Sequence, residues 1–283
     1  MTISFDLVGS EALTEIAALC RRSLVTAPSL SEIERTLFSV DQPTVVRFAP
    51  GVGVVSTVRD GLDGFVRLIV IDPSQRGKGL GHDLLESAES DLSGVTAITV
   101  GADPPYFLFP GVPVEETALC CLLERHHYIR EETNYNIDIN LSHLPEDPKV
   151  ALVPRDEDRQ EIDDWMARHW PNWRAEVLRA FDQRSLLVRR DETDIIGFCA
   201  FDVNRSGTLG PIASRPDLIG RAVSAPLLIG ALHALRHRGH SEIEVLWVGP
   251  MVPYARVGGR VGQLFFVYRK RAFPQPPAPD CSD

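Results

Sequence analysis

The chain has 283 residues, of which 44% are hydrophobic and 24% charged, and a formal net charge of −10 at neutral pH. That acidic balance argues against nucleic acid as the main partner, because neutralising phosphates takes a basic face, and leaves room for a local basic pocket. No run approaches the roughly 18 apolar residues of a membrane span, so no membrane-spanning helix is expected.

In chain order, Leu13, Ile16, Ala17 and Cys20 mark one face of a helix over 10–24, and a second short helix is predicted over 31–38, after Pro28. The period then changes. Runs over 44–48, 51–58 and 64–71 are β-rich and separated by Pro50-Gly51 and Asp60-Gly61, which predicts an antiparallel meander. The last run, Phe65-Val-Arg-Leu-Ile-Val-Ile71, is apolar and β-branched but for Arg67, as a buried strand should be. After Asp72-Pro73 come Arg76-Gly-Lys-Gly-Leu-Gly81 and then Leu80, Leu84, Leu85, Ala88 and Leu92, whose three- and four-residue spacing predicts a helix over 79–91. A strand over 95–100, a helix over 115–126 and a strand over 135–141 complete the first half.

A polar linker over 142–149 precedes a second pass through the same order. Helices are predicted over 156–169 and 173–181, strands over 185–189, 195–202 and 208–214, a helix ending near Arg238, and strands over 242–248 and 264–268. Two domains are expected, over 1–143 and 150–272, with a disordered proline-rich tail over 273–283.

The loop between the strand over 64–71 and the following helix carries the chemistry. The first amides of a helix lack intrahelical partners and sit at the positive end of its dipole, so they bind phosphate oxygens. Gly77, Gly79 and Gly81 remove the Cβ atoms that would hold a pyrophosphate away, and Arg76 and Lys78 add charge. A glycine-rich connection with solvated basic residues has the same composition, so the flanks decide between the two readings. The loop is not a Walker A element and is a poor Rossmann fingerprint.

The loop fits the Arg/Gln-x-x-Gly-x-Gly/Ala signature of the GCN5-related N-acetyltransferase superfamily. The preceding strand ending in Asp-Pro and the Leu84-Leu85 pair fit as well. The resemblance implies an α/β (α+β) fold with two tandem domains, each a mixed, mostly antiparallel sheet flanked by helices and splayed near its fourth and fifth strands. It places acetyl-CoA at Arg76, Gly77, Lys78, Gly79, Leu80 and Gly81, with the thioester carbonyl polarised by the backbone at Val70 and Ile71. It also implies direct N-acetyl transfer to a small-molecule amine in the N-terminal domain. Tandem relatives include glucosaminide acetyltransferases, so an amino sugar is one acceptor class. A non-catalytic acyl-CoA-binding or regulatory protein is the alternative.

The halves differ. Setting Leu227-Leu228 on Leu84-Leu85 puts Pro216 on Pro73, Gly220 on Gly77 and Arg221 on Lys78, whereas Ile219, Ala222 and Ser224 replace Arg76, Gly79 and Gly81. The second loop has lost a cation and two glycines. The family's thiolate-protonating tyrosine has a counterpart in Tyr254, which is a general acid or a core tyrosine; in the first half Leu123 replaces that tyrosine and His127 the glycine that follows it.

The amine must lose a proton, and the carboxylates near the next loop, Asp103, Glu115 and Glu116, are base candidates or ordinary surface groups. His126 and His127 are open to the same two readings. In the proline-rich loop over 101–113, Tyr106, Phe107 and Phe109 either face substrate or cover the sheet. The five cysteines, Cys20, Cys120, Cys121, Cys199 and Cys281, show no zinc-type spacing and are expected as reduced thiols, with no metal site. Met1-Thr-Ile-Ser-Phe-Asp6 has no basic segment leading into an apolar one, so a cytoplasmic monomer or homodimer is expected.

Overall fold

The computed structural model of the chain describes residues 3–38, 43–103, 107–192 and 194–271. The predicted tail over 273–283 lies outside them. In chain order the elements are β1 (Asp6–Leu7), α1 (Leu13–Ser23), α2 (Leu30–Ile33), β2 (Thr44–Ala49), β3 (Gly53–Asp60), β4 (Asp63–Ile71), α3 (Leu80–Asp91), β5 (Ala97–Val100), β6 (Val112–Pro113), α4 (Thr117–Arg125) and β7 (Ile129–Asn140). There follow α5 (Arg159–His169), α6 (Arg174–Asp182), β8 (Leu186–Arg190), β9 (Ile195–Phe201), β10 (Thr208–Ser214), α7 (Ser224–His237), β11 (Glu242–Val245), α8 (Val252–Ala255) and β12 (Arg260–Arg271). No helix among the described residues is long and apolar enough to cross a membrane.

Contacts divide the described residues into two units, one of those up to 133 together with those from 265 on, the other of residues 134–264. In the first, β1 to β4 pair antiparallel in sequence order, β5 lies parallel to β4, and Tyr268–Arg271 of β12 pairs antiparallel with β5. In the second, β8, β9 and β10 form the antiparallel meander, β11 lies parallel to β10, and 137–140 of β7 pairs antiparallel with β11. Both units thus repeat one mixed, mostly antiparallel design with a single parallel pair. The outermost strand differs from the linear division at 1–143 and 150–272: the last strand of each half completes the sheet of the other unit. Alternation of apolar residues identifies a strand but does not say which sheet edge it joins.

The apolar residues flanking Arg67 in β4 are buried on both faces of the sheet. Val66 and Ile69 pack with Leu84, Leu85 and Ala88 of α3, while Leu68 and Val70 pack with Ile16, Leu19 and Cys20 of α1. Residues 66 and 69 share a face despite their odd spacing because the β3–β4 register shifts between Ser56 and Thr57, which marks a β-bulge beside Arg67. The predicted helix over 31–38 forms as α2 and a following π turn over Glu34–Phe38. Ser29 starts it with a capping box: its hydroxyl accepts from the Glu32 amide at 3.3 Å, and the Glu32 carboxylate accepts from the Ser29 amide at 2.7 Å.

Candidate active site

Strand β4 ends in a turn fixed by one carboxylate. Asp72 accepts the Ser74 amide at 3.0 Å, the Ser74 hydroxyl at 2.7 Å and the Arg22 guanidinium at 2.6 Å. The Arg22 hydrogen bond, followed by those from Ser74, lowers the Asp72 carboxyl to about 2. The Asp72 amide donates to Val52 O at 2.8 Å. Because backbone groups alternate along an antiparallel strand, the N–H and C=O of Ile71 face the other way, toward the β5 side. There the sheet is splayed: β4–β5 pairing stops at Val66 and Val100, while β4 continues to Ile71.

The loop beyond the turn has the expected shape. Gly77 and Gly79 have φ of 76° and 86°, and a Cβ built on either would meet nothing within 4 Å. The left-handed backbone and the open space above it both favour glycine. Helix α3 starts directly after Gly79 without a side-chain cap, so its first amides keep their hydrogen-bonding capacity. Arg76 is held in place, its guanidinium donating to Ile71 O at 3.3 Å and Ser23 O at 2.9 Å. Lys78 reaches Gln75 Oε1 at 2.9 Å.

A cleft of about 670 Å³ runs from this loop along the free edge of β4, walled on the other side by α4. Of the residues expected at the cofactor, Val70, Ile71, Arg76, Gly77, Gly79 and Gly81 line it. Lys78 and Leu80 do not: the Lys78 side chain is exposed, and Leu80 is buried. The rest of the wall comes from Leu24 and Ile69, from His82 of α3, and from Glu116 and the α4 face that follows it, through His126. The α4 members could have been found from helical spacing, since Ala118, Leu122 and Arg125 recur one turn apart. His82 and His126 share a hydrogen bond, Nδ1 to Nε2 at 2.9 Å, and burial, then the neighbouring His82, lowers the His126 imidazole.

A second, smaller cavity of about 40 Å³ lies in the splay, lined by Arg67, Gly101, Phe109, Gly111 and Pro113 among others. Leu24, Ile69, Glu116 and Leu119 line both cavities. Phe109 therefore faces a cavity. Phe107 is half-buried and lines neither, and Tyr106 lies outside the described residues.

The structure separates the acid and base candidates Asp103, Glu115 and Tyr254. Asp103 is buried in an ion pair with the Arg67 guanidinium, which also donates to Thr36 O at 3.0 Å and Thr44 Oγ1 at 3.1 Å. Burial pushes its carboxyl up and Arg67 opposes the shift. Glu115 is exposed, and neither Asp103 nor Glu115 lines the two cavities. Tyr254 sits in the second unit's core beside Val245, Val248 and Val257, and burial raises its hydroxyl. Leu123, at the corresponding position of the first unit, is fully buried.

The second unit's loop keeps the backbone shape of the first. Gly220 and Ala222 have φ of 86° and 55°, matching Gly77 and Gly79, and α7 follows as α3 does. Here Arg189 donates to the carbonyls of Ala222 and Val223, at 3.5 and 3.2 Å. Among the described residues, no cluster of His, Cys, Asp or Glu is placed to hold a metal ion.

No protein-family model and no curated protein matches the sequence. Solved structures match the fold. A GCN5-related glucosamine N-acetyltransferase region in a fungal multi-domain GH3 β-N-acetylglucosaminidase superposes with a TM-score of 0.78 at 18% identity, covering 95% of this chain. This chain spans 38% of that longer protein. A GCN5-related N-acetyltransferase from Sphaerobacter thermophilus gives a TM-score of 0.70 at 19% identity, covering 94% of each chain. A tandem protein of the same fold from the clavulanic acid biosynthesis pathway gives 0.70 at 15% identity, covering 97% of this chain and 100% of the other. The chain therefore has the tandem fold of the GCN5-related N-acetyltransferases over nearly its whole length.

Proposed function

We propose that the chain is an acetyl-CoA-dependent N-acetyltransferase acting by direct transfer to a small-molecule amine, with the co-substrate held by the N-terminal unit. One observation carries this reading: Gly77 and Gly79 hold left-handed conformations under open space at an uncapped helix start, where the long cleft begins. The amides of Leu80 and Gly81 would receive pyrophosphate oxygens, with the fixed charge of Arg76 beside them. The pantetheine would lie along the free edge of β4, where the outward amide of Ile71 can donate to the thioester carbonyl as negative charge builds on it. The thioester supplies an activated acyl group; the protein positions it and excludes water with Leu24, Leu119 and Leu122.

The amino-sugar class is supported only by the description of one similar structure as a glucosamine N-acetyltransferase region. A non-catalytic acyl-CoA-binding protein is the second reading. It is favoured by Leu123, which offers the departing sulfur no hydroxyl, and by the burial of Tyr254 in the other unit's core. The leaving thiolate can take its proton from water, so the enzyme reading is preferred. The experiment is calorimetric titration with acetyl-CoA, together with thiol release across amines including glucosamine, polyamines and amino acids. Binding with turnover supports the enzyme; binding without turnover supports the second reading.

A further inference from the structure

The geometry points to Glu116 as the residue that receives the acceptor amine and removes its proton, and so to a primary amine that enters as an ammonium ion. This rests on the reading of the long cleft as the acyl-CoA site. Glu116 is 8% exposed and lies just before α4, yet its side chain faces both cavities. One oxygen, Oε1, accepts the Val25 amide at 3.1 Å. The other, Oε2, has no hydrogen-bond partner among the described residues.

That oxygen opens onto the cavities Glu116 lines, and a carboxylate oxygen with spare acceptor capacity in a cleft is a ready partner for a bound cation. The walls shared by the two cavities are otherwise the apolar side chains Leu24, Ile69 and Leu119, so Glu116 is the charge found at their junction. In such a setting an ammonium group pairs strongly with the carboxylate, whereas a neutral hydroxyl or a second anion gains little. The smaller cavity, about 40 Å³, leaves little room beside the carboxylate, so an unhindered primary amine fits there better than a branched one.

The proton balance closes without a further reagent. The ammonium gives one proton to Glu116 Oε2, and the freed lone pair forms the N–C bond as the C–S bond breaks with its electron pair on sulfur. The nitrogen then loses a second proton, sulfur takes up one, and one is released to solvent.

Glu116→Gln tests this in the full chain, because the amide oxygen can still accept the Val25 amide and keep the local fold. With acetyl-CoA and glucosamine, putrescine or phenethylamine as probes, the expected result is a fall in kcat of at least about 100-fold, the usual reach of a general base. Acetyl-CoA affinity should stay within about twofold, and the acid limb of the pH–rate profile should flatten. Glu115→Gln, at an exposed carboxylate, should leave the rate unchanged. A Glu116→Gln rate within about threefold of the parent overturns the inference. So does a parent protein that binds acetyl-CoA but turns over no primary amine, an outcome that leaves the cradle assignment standing. Failure of the parent to bind acetyl-CoA overturns the reading beneath it.

Discussion

Arg22 and Asp72 join the end of α1 to the end of β4 through a 2.6 Å ion pair, just before the chain turns into the glycine loop. Asp72 is lowered to about 2 against an ordinary carboxyl near 3.9. A depressed carboxyl contributes stability above its unfolded value and loses it as pH falls through the folded one. Arg22→Ala should raise the Asp72 midpoint toward the ordinary value in an NMR titration. The melting temperature should become less sensitive to acid between about pH 4 and 2. The Arg22 side chain is largely exposed, so the loss near pH 7 should be only about 0.5–1 kcal/mol.

The two loops should respond differently to the same substitution. Gly79→Glu places a side chain and a negative charge in the open space over the helix start and should abolish acetyl-CoA binding. Ala222→Glu occupies the matching left-handed position of the second unit, where the cation and a further glycine are already replaced by Ile219 and Ser224. It should leave affinity within about twofold. Calorimetry on both variants checks the assignment; loss with Ala222→Glu alone would place the co-substrate in the other unit.

These loops also show what the sequence reveals and what it hides. Gly77 and Gly79 were legible because a left-handed backbone next to a ligand leaves few alternatives to glycine. The β4 strand and α3 were legible because burial imposes a period. The partners of 134–140 and 265–271 were not, since nothing in a strand's alternation specifies its neighbour. Nor was Asp103: a carboxylate beside an aromatic loop looks catalytic in one dimension, and only the fold brings Arg67 to it. Glu115 and Glu116 are adjacent and chemically alike, and the turn into α4 exposes one and buries the other.

His127 carries φ of 65° just after α4, where its amide donates to Glu124 O at 3.1 Å and the Tyr128 amide to Leu123 O at 3.0 Å. This is a helix ending that glycine serves best. A left-handed non-glycine residue costs about 1–2 kcal/mol, and glycine's extra unfolded-state freedom returns part of the gain. His127→Gly should therefore stabilise the chain by about 0.5–1 kcal/mol in urea unfolding, with an unchanged m-value.

The His82–His126 bond needs one nitrogen to donate and the other to accept, so it cannot persist when both rings are protonated. Around it stand Glu86 and Glu89 of α3, Arg125 of α4 and Lys270 of β12. The His126 imidazole is lowered from its ordinary value, so its contribution is present above that value, near 6.5, and is lost as pH falls through the folded value. Melting temperature should drop on acidification below about pH 6.5, and His126→Asn should flatten that dependence. An unaltered slope in the variant would show that the pair does not carry it.

Asp103 offers the sharpest contrast between a structural and a chemical carboxylate. Its pair with Arg67 is almost completely buried, with side-chain exposures of 3% and 0%, and the guanidinium is held there by Thr36 and Thr44. Asp103→Asn leaves a buried cation without its counter-charge, a change that typically costs about 3–5 kcal/mol. The double change Asp103→Asn with Arg67→Met removes both charges and should recover much of that loss, because the desolvation penalty leaves with them. Stability measured by denaturant unfolding should thus follow charge pairing. If Asp103 were instead the base, Asp103→Asn would keep the parental midpoint and lose its rate with bound amine, and the double variant would recover no activity. The expected outcome is the reverse: a large loss of midpoint in the single variant and its partial return in the double.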